Sequence, residues 1–444
     1  MKRETKNTVL GFVFTILATV ALVTLILAIY SLFTDKASDR ISLYATYEDM
    51  VDAGVYEGTF AEWLEDYGFA GSTEVESSEE TAAETVSSCL LSSVSITMTC
   101  TYQYTSSSGH GASMTSTATL GFAGSGIIYA LDRENGDAYI VTNCHVIYDG
   151  AITEDGVTYT PTETPSYCAY LYGLESDAYA IEFSVVGYSL SNDVAVCKVE
   201  DSDVLKDSYA QAVTVGDSDS VAVGDECFLV GNSLGYGISA SSGIVSVARE
   251  TVSLTGADGE TTVSLDAIRT DAAAYSGNSG GGMFSSAGEW IGTLFAGDTS
   301  NGGGNISECL PVNTVSAIAD SILDYCDGDT KSTECFSLGI ETALTAVEQV
   351  YLNGSNAVST SDTLVVSSVE SGSAAGSAGF RAQDVLVSVG DADGNTVSIT
   401  HDWVLSDFLW TVREGDTFEV TVQRSGRQQV LTVTADGACF ETVS

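Results

Sequence analysis

Three histidines, three prolines and 15 basic residues are all that this chain of 444 residues contains of those types, against 61 Asp and Glu. The resulting net charge of −46 excludes nucleic acid as a partner, because binding a phosphate backbone needs clustered Lys and Arg. Scarce proline and 44 glycines, beside abundant Ser, Thr and Val, argue for a β-rich chain with glycine-dependent turns and against a helical bundle. There is no C-x-x-C pair, and with only His110, His145 and His401 a structural zinc site has little to be built from; no metal or cofactor is expected. No repeat of about 20 to 50 residues occurs, which argues against a solenoid or propeller. What is present is a hydrophobic content of 44%, ample for the cores of two or three domains and incompatible with disorder throughout.

One long apolar run stands out. No charge interrupts Asn7 to Thr34, and Val9 to Phe33 is almost entirely Leu, Val, Ile, Ala, Phe and Thr. As a helix it would be about 37 Å long, more than the roughly 30 Å hydrocarbon core of a bilayer. A secretory signal peptide is the competing reading, but its apolar region is usually about 7 to 15 residues, and no clear A-x-A site follows. The expectation is a retained transmembrane anchor over 8–33 with 1–7 in the cytoplasm, since Lys2, Arg3 and Lys6 precede the span. The ten cysteines would then lie outside, where disulfides persist. Their spacing forms no framework. Cys197 and Cys227 sit in apolar runs that suit buried thiols, and Cys326 with Cys335, flanking an interdomain joint, is the pair to test for a bridge.

Composition divides the remainder. Residues 34–88 read as an extracytoplasmic acidic stalk. Tyr44 to Phe69 suits a small helical hairpin, and its Gly58 to Leu64 run resembles a short module of bacterial surface proteins, too brief to carry a function. Glu74, Glu76, Glu79, Glu80 and Glu84 follow in a polar tether that cannot bury enough surface to offset its ordering entropy. Over 89–325, runs such as Tyr139 to Thr142, Val194 to Val199 and Cys227 to Val230, separated by Gly, Asn, Asp and Ser clusters, signal an all-β barrel or sandwich. Residues 335–438 form a separate α+β module around one amphipathic helix, Trp403 to Val412, with Val404, Phe408 and Val412 at four-residue steps.

The chemistry concentrates in Ser276-Gly277-Asn278-Ser279-Gly280-Gly281. A serine among glycines can sit in a tight turn whose N–H groups suit an oxyanion. A serine hydroxyl is a poor nucleophile, so it needs a histidine base, and the base needs a carboxylate to orient it. His110 lies in a Ser/Gly-rich segment and His401 in the C-terminal module, whereas His145 ends the strand-like run Ala138 to Ile147. Alone, His145 could be a satisfied core residue and a glycine-flanked serine merely a turn.

Together the motifs carry a resemblance. Thr142-Asn143-Cys144-His145-Val146, Asn192-Asp193-Val194-Ala195-Val196-Cys197-Lys198-Val199 and Thr270-Asp271-Ala272-Ala273 followed by Gly277-Asn278-Ser279-Gly280-Gly281 occur in that order. They are similar to T-N-x-H-V, D-L-A-V-L-K-V and T-D-A-A-x-x-x-G-N-S-G-G of the trypsin-like serine proteases of the HtrA family. Gly124-Ser125-Gly126-Ile127-Ile128, Gly231-Asn232-Ser233-Leu234-Gly235, Gly243-Ile244-Val245-Ser246 and Leu310-Pro311-Val312 agree as well, and the resemblance covers roughly Gly121 to Tyr325. It implies a double β-barrel with His145 as base, Asp193 as orienting acid, Ser279 as nucleophile, and an oxyanion hole from the N–H groups of Gly277 and Ser279. It also implies a primary pocket based on Ala273 with Ala274, Thr293 and Leu294 as walls, suited to small or medium apolar residues. Two departures, Thr105 to Ser116 and the long stretch between His145 and Asp193, are expected to be surface loops.

The C-terminal module resembles the PDZ domain that follows the protease in this family. Ser337-Leu338-Gly339-Ile340 matches the loop that holds a peptide carboxylate, and Gly372-Ser373 to Ala378-Gly379-Phe380-Arg381-Ala382-Gln383-Asp384-Val385-Leu386 matches its S-x-A-x-x-A-G-L-x-x-G-D-V-I signature, with Gln383 in place of glycine. Leu338, Gly339 and Ile340 would bind peptide C-termini by strand addition, or else Leu338 and Ile340 pack a core. The whole reads as a mainly β, membrane-anchored serine endopeptidase of exported, unfolded proteins, with one transmembrane helix and, by family resemblance, a homotrimeric or larger assembly on the outer face of a bacterial membrane. The rival from another class is a non-proteolytic chaperone or PDZ peptide-binding scaffold on an inactive protease fold.

Overall fold

Val94, Ile96, Met98, Cys100 and Tyr102 are all buried, and this period of two makes β1 (Ser93–Ser107) a strand with one face inward. The computed structural model describes residues 82–107, 113–173, 176–297, 306–326, 331–352, 357–390 and 394–443. The expected anchor, the segment from Tyr44 to Phe69 and His110 lie outside these residues. Among the described residues no helix is long and apolar enough to cross a membrane.

β1 pairs antiparallel with β2 (Ser113–Asp132) as far as Ser107 opposite Ser113, so Thr105 to Ser116 contributes two strand ends where a surface loop was expected. β3 (Asp137–Thr142) continues the sheet, and the short helix α2 (Cys144–Ile147) turns off its end. It follows α1 (Ala82–Leu91), whose buried Thr85 and Cys89 face the body of the molecule. The first domain therefore begins with α1, inside the segment read as tether. The stretch between His145 and Asp193, also expected as a loop, carries five strands: β4 (Ile152–Glu154), β5 (Val157–Pro161), β6 (Ser166–Leu171), β7 (Ala180–Glu182) and β8 (Ser184–Ser189). Both β5 and β6 pair with the free edge of β1, and β9 (Val194–Val199) closes against β3 and β8.

A short helix α3 (Asp203–Lys206), capped by the Ser202 side chain, leads to the second half. There β10 (Glu226–Gly231), β11 (Ser239–Thr255), β12 (Thr262–Thr270), β13 (Gly282–Ser285), β14 (Trp290–Gly297) and β15 (Ser307–Pro311) form a closed barrel in the order β10-β11-β12-β15-β14-β13. Among the described residues only this half closes into a barrel. The first is a nine-stranded sheet, because the added strands extend the edge of β1. A seam of Ile127, Val141 and Val196 from one half against Phe228, Phe284 and Trp290 from the other joins them. Helix α4 (Val312–Tyr325) buries Val315, Ile318, Ala319 and Ile322, a stripe at helical spacing, against that seam. Cys326 and Cys335 beyond it are thiols whose sulfurs lie 3.5 and 3.7 Å from the Ser332 and Phe336 carbonyls.

The last module consists of β16 (Thr333–Phe336), β17 (Ile340–Leu352), β18 (Ala357–Val369), helix α5 (Ala374–Ala378), β19 (Val385–Gly390), β20 (Thr396–Ser398), helix α6 (Asp402–Thr411), β21 (Thr417–Arg424), β22 (Arg427–Thr434) and β23 (Phe440–Val443). β16 and β23 pair, so the module runs from 333 to 443, past both expected bounds. Gln383 takes φ +77, the left-handed turn that a glycine would adopt more easily. The next residue, buried Asp384, accepts two bonds of 2.6 Å from Arg424. Burial alone would raise its pKa, but the Arg424 guanidinium and the Arg381 N–H hold it below the usual carboxylate value.

Candidate active site

The acid and the base are held within the first half. Asp193 occupies the turn between β8 and β9 at φ +53, and the buried Asn143 donates its side-chain N–H to the Asp193 carbonyl at 2.9 Å, bracing that turn. The Asp193 carboxylate is spent on one residue: Oδ1 accepts the His145 backbone N–H at 2.9 Å and Oδ2 meets His145 Nδ1 at 2.8 Å. With Asp193 ionised, Nδ1 carries the proton and Nε2 is left as a base. Burial opposes the imidazolium, yet the charge and hydrogen bond of Asp193 outweigh it and raise the His145 pKa above its ordinary value.

Ser279 sits in the turn between β12 and β13. Gly277 and Gly280 there take φ +93 and +83, and a Cβ would run into the Asn232 carbonyl at the first and the Ser125 carbonyl at the second, so glycine is required at both. Leu234 N–H binds the Ser276 carbonyl at 2.7 Å and Gly281 N–H binds that of Asn278 at 2.8 Å. A trans peptide points its N–H opposite its C=O, so these anchors turn the N–H groups of Gly277 and Ser279 away from them, and neither donates to a described group. Two uncommitted N–H groups flanking a serine can receive an oxyanion. The two halves meet here. A Cβ on Gly124 would touch Val146 at 2.6 Å and the Ser279 carbonyl at 3.1 Å, placing the nucleophile's backbone beside the residue that follows the base.

Ala273 and Ala274 are half-buried in the turn after β12, and the Ser241 and Ser307 hydroxyls bind the carbonyls of Ala273 and Ala272 at 2.7 Å. Thr293 and Leu294, expected as pocket walls, are 1% and 3% exposed, and Leu294 packs in the barrel core. Its backbone instead braces the nucleophile turn, bonding Gly280 N–H and the Gly281 carbonyl at 2.8 and 2.9 Å. Sequence reasoning missed Asn143, Ser125 and Ser307. The first two lie within quoted motifs, but nothing in a linear pattern says where their side chains reach.

A groove of about 420 Å³ lies between α6 and the turn after β16, lined by Phe336, Leu338, Ile340, Leu405, Leu409 and Trp410 among others. Leu338 is also 2% exposed in the module's core, so it serves packing and groove together. Gly339 takes φ +72, and the N–H groups of Leu338 and Gly339 donate to no described group. Asn192, next to Asp193, reaches the same groove. Helix α6 is docked on the protease half: Arg249 binds Asp407 at 3.0 Å, Thr314 binds it at 2.6 Å, and the Arg249 guanidinium lies 5.1 Å over the Trp403 ring.

A family model of the trypsin-like peptidase domain matches residues 124–292, and one of the PDZ domain matches 350–435. The serine protease Do-like HtrA of Lactococcus lactis is 32% identical over 329 residues, covering 72% of this chain and 72% of that protein. The protein of the same name from Bacillus subtilis is 29% identical over 330 residues, covering 73% and 66%. A solved HtrA-type protease, AlgW with a decapeptide, is 22% identical with a TM-score of 0.46, covering 80% of this chain and 98% of its own.

Proposed function

Since the chain belongs to the HtrA family of trypsin-like serine endopeptidases with a C-terminal PDZ domain, we propose that His145, Asp193 and Ser279 are its catalytic triad. The observation that carries this is the Asp193 carboxylate committed by both oxygens to His145, beside a serine turn with two uncommitted N–H groups. Ser279 Oγ attacks the scissile carbonyl while His145 Nε2 takes its proton. The tetrahedral oxyanion is held by the N–H groups of Gly277 and Ser279, and His145 then protonates the leaving amine. Water, deprotonated by His145, hydrolyses the acyl-enzyme and returns Ser279. Ala273 forms the base of the primary pocket with Ala274 on its wall, and with no charge there the pocket receives a small or medium apolar side chain.

The PDZ groove takes a peptide C-terminus, its carboxylate on the N–H groups around Leu338, Gly339 and Ile340 and its backbone added as a strand along β17. Residues 8–33 anchor the enzyme, the catalytic part lies outside the cytoplasm, the substrates are unfolded or misfolded exported proteins, and the assembly is a homotrimer or larger. The apolar run from Val9 to Phe33 supports the anchor. The test compares the full chain with Ser279→Ala on casein, with and without a peptide ending in an apolar residue. Cleavage lost only in the variant is expected. Equal cleavage by both would overturn the triad, and none by either would favour the scaffold reading.

A further inference from the structure

Ser125 is fully buried within β2, opposite Ser95 of β1 and just before the stretch of β2 that pairs with β3. Each of its polar groups is committed. Its N–H donates to the Ser279 carbonyl at 2.8 Å, its carbonyl accepts the Thr142 hydroxyl at 2.7 Å, and its own hydroxyl accepts Asn232 N–H at 2.8 Å while donating to the Gly277 carbonyl at 2.7 Å. One side chain of the first half thus bridges the two turns of the second half that shape the nucleophile site.

We propose that the Ser125 hydroxyl is the positioning residue of the oxyanion hole, setting the angle between its two N–H donors. The geometry explains how. The peptides on either side of the Gly277–Asn278 bond are anchored by Leu234 and Gly281, and the middle peptide is held at its N–H by the Tyr275 carbonyl at 3.0 Å and at its carbonyl by Ser125, the one contact to it that comes from the first half. Displacement of that middle peptide would shift the Cα atoms of Gly277 and Asn278, to which the two donor peptides are attached, and so carry the Gly277 and Ser279 N–H groups out of convergence. Ser125 cannot slacken easily, because it is bonded at its backbone to Ser279 and Thr142, and a Cβ at Gly231 would already lie 3.0 Å from its Oγ. The same hydroxyl takes the Asn232 N–H, and the Asn232 carbonyl is the wall that admits only glycine at 277. The hydroxyl thus sets both the carbonyl of the first hole residue and the turn that packs against it. Hole donors act by preorganisation, so their alignment matters in the transition state and little in substrate binding.

This inference rests on Ser279 being the nucleophile. Its test uses the full chain carrying Ser125→Ala, with wild type beside it. The expected result is a kcat about 10- to 100-fold lower with KM within twofold, and a matching loss of affinity for a peptide boronate, which forms a tetrahedral anion on Ser279. Peptide affinity measured in the Ser279→Ala background should not change when Ser125→Ala is added. Unchanged kcat and boronate affinity would overturn the proposal, as would an equal weakening of peptide and boronate. Should Ser125→Ala not fold, Ser125→Cys, which keeps a weak donor, is read in the same assays, and wild-type kcat with a lowered melting temperature would assign Ser125 to stability alone. A wild type that neither cleaves casein nor binds boronate would sink the triad reading instead, so the two failures are distinct.

Discussion

The two halves of the protease part solve the problem of placing a reactive side chain in opposite ways. In the first half, base and acid brace each other: Asp193 binds both the backbone and the ring of His145, and Asn143, two residues from the base, braces the Asp193 turn. In the second half, the nucleophile turn closes on itself only at Asn278, whose N–H binds the Tyr275 carbonyl and whose carbonyl takes the Gly281 N–H. Its other carbonyls are tied to Leu234, Leu294 and Ser125, contributed by a neighbouring turn, the barrel wall and the other half. A self-braced pair tolerates movement of its surroundings, whereas a borrowed geometry changes with them. The difference predicts that changes in the second half reach the oxyanion hole and leave the titration of His145 alone.

Asp193→Asn attacks the self-braced pair and should have the largest effect, roughly a 10⁴-fold fall in kcat. The neutral imidazole is the active form, so the raised pKa of His145 places the rising limb of the wild-type kcat/KM profile above the ordinary histidine value. Loss of the carboxylate removes the groups that raise it, and the residual activity of the variant should rise at lower pH. A limb that stays in place would show that Asp193 does not set the base.

Gly277→Ala attacks the borrowed geometry. With φ +93 and the Asn232 carbonyl in the path of a Cβ, the turn must shift, and kcat should fall about 10²- to 10³-fold. The imidazole titration followed by NMR should match wild type. A moved titration would mean that the halves are coupled more tightly than their bonds suggest.

The smallest effect is on stability and belongs to the barrel alone. Glu308 on β15 is 8% exposed with Oε2 unpartnered among the described residues, and burial with the Glu250 charge, opposed by Arg269, pushes its pKa up to about 7. A folded pKa above the unfolded one means that the protonated form favours folding. This contribution is complete below the ordinary glutamate value and is lost as pH rises through about 7. Wild-type melting temperature should therefore fall between pH 5 and pH 8, and Glu308→Gln should flatten that dependence without altering casein cleavage. An unchanged slope would place the titrating group elsewhere.

Much of the site was legible because its chemistry is written in consecutive residues. Thr142 to Val146, Asn192 to Val199 and Gly277 to Gly281 each carry a base, an acid or a nucleophile together with the backbone its turn needs. The strand pattern was legible too, since Val194 to Val199 and Cys227 to Val230 run apolar as buried strands do, and both lie within strands. Polar insertions misled. Thr105 to Ser116 and the residues between His145 and Asp193 are rich in Ser, Thr and Tyr, which suits a loop or an exposed strand equally, and the free edge of β1 decided for strand. Helix α1 was hidden for a similar reason: its run Ala82 to Leu91 is short and weakly apolar, and its buried Thr85 and Cys89 gain their value from a surface distant in sequence.

The sequence by itself determined which residues could do chemistry and where the chain could turn, because nucleophile, base, acid and obligatory glycine are properties of residue type and local backbone. Tertiary structure alone decided which of them work together. That Ser125 reaches Gly277, that Leu294 fills a core where a pocket wall was expected, and that Arg249 binds Asp407 at 3.0 Å are contacts between residues far apart in the chain. Such contacts arise from how sheets close and pack, and no local pattern encodes them.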